Sequence, residues 1–142
     1  MQNFWEYYNS CRYFYTQILA PVCRKFRLTY MELSVLLFLA NHPEFDTASQ
    51  IVKYRQLTKS HVSLALRELQ QRGFLTGERR ADDRRNIHLK LTEKAQPVIR
   101  SGQDAQKYFK ASMFSDFSPE EIKIYEQFQN RIFHNLSSAA EE

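Results

Sequence analysis

The chain has 142 residues, of which 43% are hydrophobic, 14% aromatic and 25% charged. This composition excludes a disordered chain, and three Gly and four Pro argue against a collagen-like or low-complexity sequence. The longest apolar run, residues 35–40, is too short to cross a bilayer, and the first residues do not resemble a signal peptide. We therefore expect a soluble cytoplasmic protein of one domain, without a membrane partner.

Positive charge is concentrated in the middle of the chain. The net charge is +4, but residues 47–94 contain eleven Lys or Arg and only five Asp or Glu. The other residues are slightly acidic, with nine basic and eleven acidic side chains. A basic segment between acidic ends favours a polyanionic partner such as nucleic acid, although such an excess also occurs on solvated surfaces.

The first predicted elements are helices. The N-terminal segment is rich in aromatic residues, and we expect its helix to end or kink near Pro21, which lacks an amide hydrogen. Two further helices begin at capping boxes, in which Thr29 is followed by Glu32 and Thr47 by Gln50. In such a box the threonine side chain accepts a hydrogen bond from the backbone N–H three positions later. The side chain at that later position in turn accepts one from the threonine backbone N–H.

A longer helix begins at Thr58 and ends at Arg72, since Gly73 can adopt the left-handed conformation that terminates helices. Its apolar residues recur at helical spacing, and they are Val62, Ala65, Leu66 and Leu69. The short helix at 47–54 and the tight connection at 55–57 complete a helix-turn-helix.

The hydrophobic period changes after this helix. Ile87, Leu89 and Leu91 alternate with polar residues, which indicates a half-buried strand that residues 75–80 can pair with. The polar residues 81–85 contain no glycine, and we expect them to form a flexible projecting loop. A hairpin directly after a helix-turn-helix is typical of a winged helix.

Two more helices are predicted after the hairpin. One follows Thr92 with an interruption near Pro97, and the other begins at the capping box of Ser118 and Glu121, with Pro119 at its first position. The predicted fold is mainly α: a winged helix-turn-helix with a small β-hairpin wing and N- and C-terminal helices.

The helix at 58–72 carries candidate DNA contacts opposite its apolar stripe. Serine and arginine there can hydrogen-bond base edges or phosphates in the major groove, and Leu64 can contact a thymine methyl. The alternative for Leu64 is packing against a neighbouring helix of the same chain. The residues of this face are Ser60, Ser63, Leu64 and Arg67.

The predicted wing adds arginines that a protruding hairpin can insert into a narrow minor groove. They are Arg79, Arg80, Arg84 and Arg85. A neighbouring aspartate can accept paired hydrogen bonds from such a guanidinium and orient it. The alternative is a solvated loop of mixed charge.

These motifs together resemble the MarR family of bacterial transcription regulators. The most specific part is Asp-Asp-Arg-Arg at 82–85 followed by Leu-Lys-Leu-Thr-Glu-Lys at 89–94, and residues 58–63 and 69–75 also match. The resemblance covers residues 28–95 by motif. The chain departs from the family pattern at packing positions, namely Ala95, Ile51 and Val52.

The resemblance implies a homodimer that binds a palindromic operator, often as a repressor, and is released by a small-molecule effector or by oxidation. Residues 1–27 and 96–142 become the helical dimerisation region, and residues 28–95 the DNA-binding region of one intertwined domain. The aromatic arms outside 28–95 independently favour a dimer, because two copies can bury each other's apolar faces.

The resemblance also assigns residues to the DNA. Arg84 or Arg85 becomes the minor-groove arginine, with Asp83 as its orienting carboxylate, and Lys53, Arg55 and Lys59 are candidate phosphate contacts. The full set of candidate DNA-binding residues is Lys59, Ser60, His61, Ser63, Leu64, Arg67, Arg79, Arg80, Asp83, Arg84 and Arg85.

Other functions have weaker signals. Cys11 and Cys23 suggest a redox-sensing alternative, but in one straight helix they are about 18 Å apart, too far for a disulfide within one chain. Packing of both as small reduced hydrophobes is the other interpretation. A winged-helix protein-interaction module is a further alternative. The aromatic first helix could line an effector pocket, although an aromatic stripe at helical spacing more often belongs to a core or a dimer interface.

Catalysis and metal binding are not expected. The chain contains no Gly-rich phosphate loop and no Ser/His/Asp arrangement at recognisable spacing. Its four histidines match no metal-ligand spacing, so we expect neither a metal nor a cofactor.

Overall fold

The computed structural model describes residues 3–140 as six α-helices and one β-hairpin. The elements are α1 (Phe4–Phe26), α2 (Tyr30–Asn41), α3 (Ala48–Arg55), α4 (Lys59–Gln71), β1 (Leu75–Arg80), β2 (Asp83–Leu91), a 3₁₀ turn (Glu93–Ala95), α5 (Gln96–Met113) and α6 (Pro119–Ala140). Helices α3 and α4 followed by the hairpin, here called the wing, confirm the predicted winged helix-turn-helix. The chain divides into two compact units, of which the first ends at Phe109 and the second begins at Lys110.

The core of the first unit surrounds α2. Every residue from Glu32 to Leu39 is buried, because α2 packs against α1, α4 and β2. An apolar helix without a polar face is stable only in such an interior position. Leu69 of α4 is fully buried in the same core, as is Ile51 of α3. The helix-turn-helix is thereby fixed to a rigid central helix.

The capping residues begin the helices as predicted, with one difference. The Thr47 box is complete, since Thr47 N donates to Gln50 Oε1 over 3.0 Å and Gln50 N donates back to Thr47 Oγ1. Thr29 accepts from the Glu32 amide, but the Glu32 carboxylate lies 3.6 Å from Arg72 Nη1 instead of returning to Thr29. An ion pair with α4 replaces the expected second half of that box.

Helix α1 continues through Pro21 to Phe26, so the expectation that it ends near Pro21 is wrong. Leu19 and Val22 flank the proline and are buried in the core. Their packing holds the helix together across the missing backbone hydrogen bond.

The wing is tighter than the sequence predicted. Its strands are antiparallel, with Leu75 opposite Leu91 and a register shift that places Arg80 opposite Asp83. Only residues 81–82 form the turn, so the expected five-residue loop at 81–85 is wrong, because the register shift leaves residues 84–86 of β2 between the pairs Arg79–Ile87 and Arg80–Asp83.

The two faces of β2 also differ from the expected pattern. Leu89 and Leu91 are partly buried as predicted, but Ile87 is 48% exposed and His88 is buried. The polar residue is the more deeply placed one because its ring nitrogens find hydrogen-bond partners.

The second unit contains the end of α5 and all of α6. The predicted capping box is complete, since Glu121 N donates to Ser118 Oγ over 3.2 Å and Ser118 N donates to Glu121 Oε2 over 2.8 Å. Large apolar side chains of α6 remain uncovered, including Ile132, Phe133 and Leu136. No helix in residues 3–140 has the length and apolarity needed to span a bilayer.

Two leucines of α4 provide a matched test of this packing. We expect Leu69→Ala to lower the free energy of unfolding by about 2–5 kcal/mol, because it empties a fully buried position. Leu64 is 51% exposed, so Leu64→Ala should change stability by no more than about 0.5 kcal/mol. Urea unfolding at one fixed protein concentration measures both, and equal losses would contradict the assigned positions.

Candidate nucleic-acid interface

The connection between α3 and α4 exposes the start of α4. Gln56 ends α3 in a left-handed conformation with φ of 51°, and the Leu57 amide donates to the Val52 carbonyl over 3.2 Å. Thr58 then caps α4 by accepting from the His61 amide over 3.4 Å. This tight turn leaves the first turn of α4 exposed, as insertion into a major groove requires.

A groove of about 590 Å³ lies between α3, α4 and the wing, and we call it the α4–wing groove. All of its charged lining residues are basic. They are Lys53, Lys59, Arg67, Arg79 and Arg85. Six apolar and five uncharged polar side chains complete the lining, the polar set being Thr47, Ser49, Ser63, Gln70 and Asn86. A concave surface lined by charges of one sign concentrates the electrostatic potential and attracts polyanions.

Strand alternation decides which wing residues line this groove. Arg79, Arg85 and Ile87 do so, whereas Arg80 lies on the other side of the hairpin with Glu78. The wing approaches α4 closely at Gly77, where an added Cβ would lie 2.6 Å from Ile87 Cγ2 and 3.0 Å from Gln70 Nε2. A side chain at this position would displace Ile87 within the wing, whereas the flexible end of Gln70 could move aside.

The structure brings several of the predicted residues of α4 to the groove and places others beside it. Lys59, Ser63 and Arg67 line the groove. Ser60 is exposed on the same helix, while His61 and Leu64 line a second depression whose acidic members are Glu32 and Glu68. Leu64 is 51% exposed and shares this depression with Met31 of α2, so about half of its side chain remains available for DNA.

The predicted wing residues divide into two groups with different contacts. Arg85 and Arg79 line the groove, and Arg79 Nη1 also donates to the Arg84 carbonyl over 2.8 Å. Arg84 is exposed. Arg80 is held away from the groove, since its Nη2 lies 3.0 Å from Asp46 Oδ2.

Asp83 does not orient an arginine in this structure. Its carboxylate accepts from Asn86 Nδ2 over 3.1 Å and is 3.0 Å from His88 Nε2. The two-residue turn makes Asp83 the first residue of β2, within reach of His88 instead of beside the arginine side chains. The same hydrogen bonds, led by the one from Asn86, lower the pKa of Asp83.

Asp46 and His88 are central to this region, and the sequence analysis missed both. Asp46 Oδ1 lies 2.9 Å from His88 Nδ1, and the Asp46 carbonyl accepts from the Leu89 amide over 2.7 Å. The hydrogen bond to Asp46, with that to Asp83, raises the pKa of His88 above its ordinary value in spite of partial burial. No local pattern identifies this pair, because its members are 42 positions apart.

The cysteines offer little support for the redox alternative. Both are free and half-buried, and burial raises the pKa of Cys23. A raised thiol pKa lowers the fraction of reactive thiolate at neutral pH. Among residues 3–140, no group of three or more His, Cys, Asp or Glu side chains is arranged to hold a metal ion.

Comparison with known proteins points to one family. The sequence model of the MarR family matches residues 28–86, which contain α2, α3, α4, β1 and the first part of β2. The match covers 59 of the 142 residues, so the chain is similar to the MarR family over its winged helix-turn-helix. This similarity supports the resemblance drawn from the wing and recognition-helix motifs.

Two curated relatives of this chain carry the name HTH-type transcriptional regulator Hpr. The protein from Bacillus cytotoxicus is 33% identical over 93 residues, which are 63% of this chain and 43% of the relative. The protein from a Geobacillus strain is 34% identical over 67 residues, 45% of this chain and 32% of the relative. The chain thus spans less than half the length of these relatives. They are named as regulators and not as enzymes, in agreement with the sequence analysis.

Solved structures show the same fold in MarR-family proteins. A regulator from Listeria monocytogenes, complexed with a 26-mer DNA, has a TM-score of 0.82 at 16% identity, covering 94% of this chain and 88% of that one. A MepR–DNA complex from S. aureus has a TM-score of 0.76 at 21% identity, covering 96% of each chain. These similarities confirm the winged helix-turn-helix with flanking helices.

Proposed function

We propose that this chain is a sequence-specific regulator of transcription of the MarR type that binds double-stranded DNA through the α4–wing groove. The observation that carries the proposal is the charge of this groove, whose lining contains five cationic side chains and no carboxylate among the described residues. The DNA in the complexes of the Listeria and S. aureus relatives supports the same class of partner.

In this proposal, affinity and sequence choice come from different residues. Lys53, Lys59 and Arg79 contact phosphates, which makes binding sensitive to salt through counterion release. The exposed face of α4 enters the major groove, where Ser60, His61, Ser63, Leu64 and Arg67 are within reach of base edges or the adjoining backbone. This division follows the general rule that phosphate contacts position a protein and base contacts specify the site.

The wing supplies the remaining contact. Arg85 lines the groove near the tip and Arg84 is exposed beside it, so one of the two is placed to enter the neighbouring minor groove. Arg80 is less suited to this task because Asp46 holds its guanidinium. The other arginines of the wing therefore contribute more to DNA affinity than Arg80.

A homodimer is part of the proposal. Trp5 is 72% exposed in α1, and Ile132, Phe133 and Leu136 are between 59% and 67% exposed in α6. Contiguous apolar side chains of this size favour burial in an interface, and a second copy of the chain supplies an identical partner surface. A two-fold dimer places two α4 helices on a palindromic operator, with half-sites about 34 Å apart.

Repression is the regulatory outcome that the family resemblance favours, since a dimer on an operator blocks access to the promoter. A small-molecule effector that binds the DNA-free dimer more tightly than the DNA-bound dimer would release the dimer from the operator. Oxidation at Cys11 or Cys23 is the alternative signal, and burial disfavours the Cys23 thiolate. A protein-interaction module is disfavoured by the uniform positive charge of the groove.

Removal of a groove cation should weaken DNA binding. We expect Arg67→Ala and Arg85→Ala each to reduce affinity for a duplex selected from a random pool by about tenfold, and to reduce the salt slope by about one if the contact is to a phosphate. Fluorescence anisotropy over a range of salt concentrations measures both quantities.

Arg100→Ala is the matched control, because Arg100 is an exposed arginine on α5 outside the groove. Its affinity should equal that of the unmodified chain. Equal losses in all three variants would indicate a general charge effect, and no loss in the groove variants would refute the assigned interface.

The dimer makes a separate prediction. Light scattering at micromolar concentration should give twice the mass of one chain, and Ile132→Glu should shift the mass toward the monomer by placing a charge in the apolar interface. His134→Glu adds a negative charge about 200° away around α6, where the neighbouring side chains at 130, 131, 137 and 138 are polar, and it should leave the dimer intact. A monomeric unmodified chain would contradict the proposal.

A further inference from the structure

The wing is attached to the start of α3 through one residue, Asp46. Its carbonyl accepts from the Leu89 amide of β2 over 2.7 Å, and its amide donates to Gln50 Oε1 of α3 over 2.9 Å. Its carboxylate is shared, since Oδ1 lies 2.9 Å from His88 Nδ1 and Oδ2 lies 3.0 Å from Arg80 Nη2. Asp46 thus contacts both strands of the wing and the first turn of a helix-turn-helix element.

His88 extends this attachment toward the tip of the wing. Its Nε2 lies 3.0 Å from Asp83 Oδ2, so the ring lies between the carboxylates of Asp46 and Asp83. The side chain is 11% exposed. We call this arrangement the His88 bridge.

The geometry of the His88 bridge favours a protonated ring. A carboxylate can only accept a hydrogen bond, and a neutral imidazole carries one N–H. Two carboxylates at hydrogen-bonding distance from both ring nitrogens are satisfied together only by an imidazolium. In the neutral ring, one nitrogen lone pair faces a carboxylate oxygen, and that side of the bridge becomes repulsive.

The surrounding charges favour the same state. Asp46 faces the ring from the α2–α3 connection and Asp83 from β2 itself, while Arg80 of β1 is bound to Asp46. Glu78 of β1 is opposite His88 in the strand register. With His88 protonated, the charges of His88, Arg80, Asp46 and Asp83 cancel, and loss of the proton leaves the cluster with one net negative charge.

We propose that His88 is a positioning residue for DNA binding: its imidazolium holds the wing against the start of α3, so that the DNA affinity of the chain falls when His88 loses its proton. This inference rests on the function proposed above. His88 contacts no groove cation. It acts on the DNA through the placement of the wing arginines and through the charge of the cluster behind them.

The direction of the pH dependence follows from the bridge. The hydrogen bonds to Asp46 and Asp83 raise the pKa of His88 in the folded chain above its ordinary value of 6.5. The stabilisation of the wing is therefore complete below pH 6.5 and is lost as pH rises through the raised pKa. DNA affinity should follow the same profile.

The central experiment compares His88→Gln with the unmodified chain. Gln keeps a hydrogen-bonding side chain but has no charge at any pH. We expect the unmodified chain to lose about tenfold in affinity for a selected duplex between about pH 6 and pH 8.5, beyond any change shared by His88→Gln. At the lower pH, His88→Gln should bind about as weakly as the unmodified chain does at the higher pH.

His134→Gln is the matched control, because His134 is exposed on α6 and distant in sequence from the wing. It should keep the pH profile of the unmodified chain, and all variants keep His61, which also titrates near the proposed interface. A second variant, Asp83→Asn, removes one carboxylate charge and should move the profile to lower pH. Identical profiles in the unmodified chain, His88→Gln and Asp83→Asn would overturn the proposal.

A measurement without DNA separates this inference from the proposed function. The Leu89 amide, which donates to Asp46, should have a lower hydrogen-exchange protection factor in His88→Gln at the lower pH, while core amides of α2 remain protected. Equal Leu89 protection in both chains would overturn the bridge even if DNA binds. Reduced protection in a chain that binds no duplex would refute the proposed function while supporting the bridge.

Discussion

The attachment of the wing to the helix-turn-helix at Asp46 is the constraint on which the candidate interface depends. The cations of the α4–wing groove come from separate elements, since Lys53 belongs to α3, Arg67 to α4 and Arg85 to β2. Their charges form one binding surface only while those elements keep a fixed spacing. The buried helix α2 packs against α4, which in turn packs against α3, and this fixes the positions of the two helices. The contacts of Asp46 with Arg80 of β1 and Leu89 of β2 fix the position of the wing.

The hairpin accommodates attachment and binding on opposite faces. Its alternation directs Arg79 and Arg85 to the groove and leaves Arg80 and His88 for contact with Asp46. The carboxylates of this region stay out of the groove lining, because Glu78 alternates with Arg79 along β1 while Asp46 and Asp83 are held by His88. A short two-stranded sheet thereby gains stability from ion pairs on one face while its other face remains available to a polyanion.

The sequence predicted the features that depend on local signals. Thr47 with Gln50, Ser118 with Glu121 and the glycine after α4 all act within one helical turn, and the structure confirms each of them. It could not predict the partners of Glu32, Asp46 and His88, because these are distant in the chain. The roles of the wing arginines were not separable either, since the register shift after Arg79 determines which face each one occupies. Proline alone disfavours a helix interior, but the buried side chains of Leu19 and Val22 let α1 continue through Pro21.

The central claim is that DNA occupies the α4–wing groove, and chemical-shift mapping tests it most directly. In a titration of the full ¹⁵N-labelled chain with a selected duplex, we predict the largest amide perturbations in residues 58–67 of α4 and in the wing around Arg85. The exposed apolar face of α6 should show small changes. Perturbations confined to α5 and α6, with α4 and the wing unaffected by saturating duplex, would contradict the account.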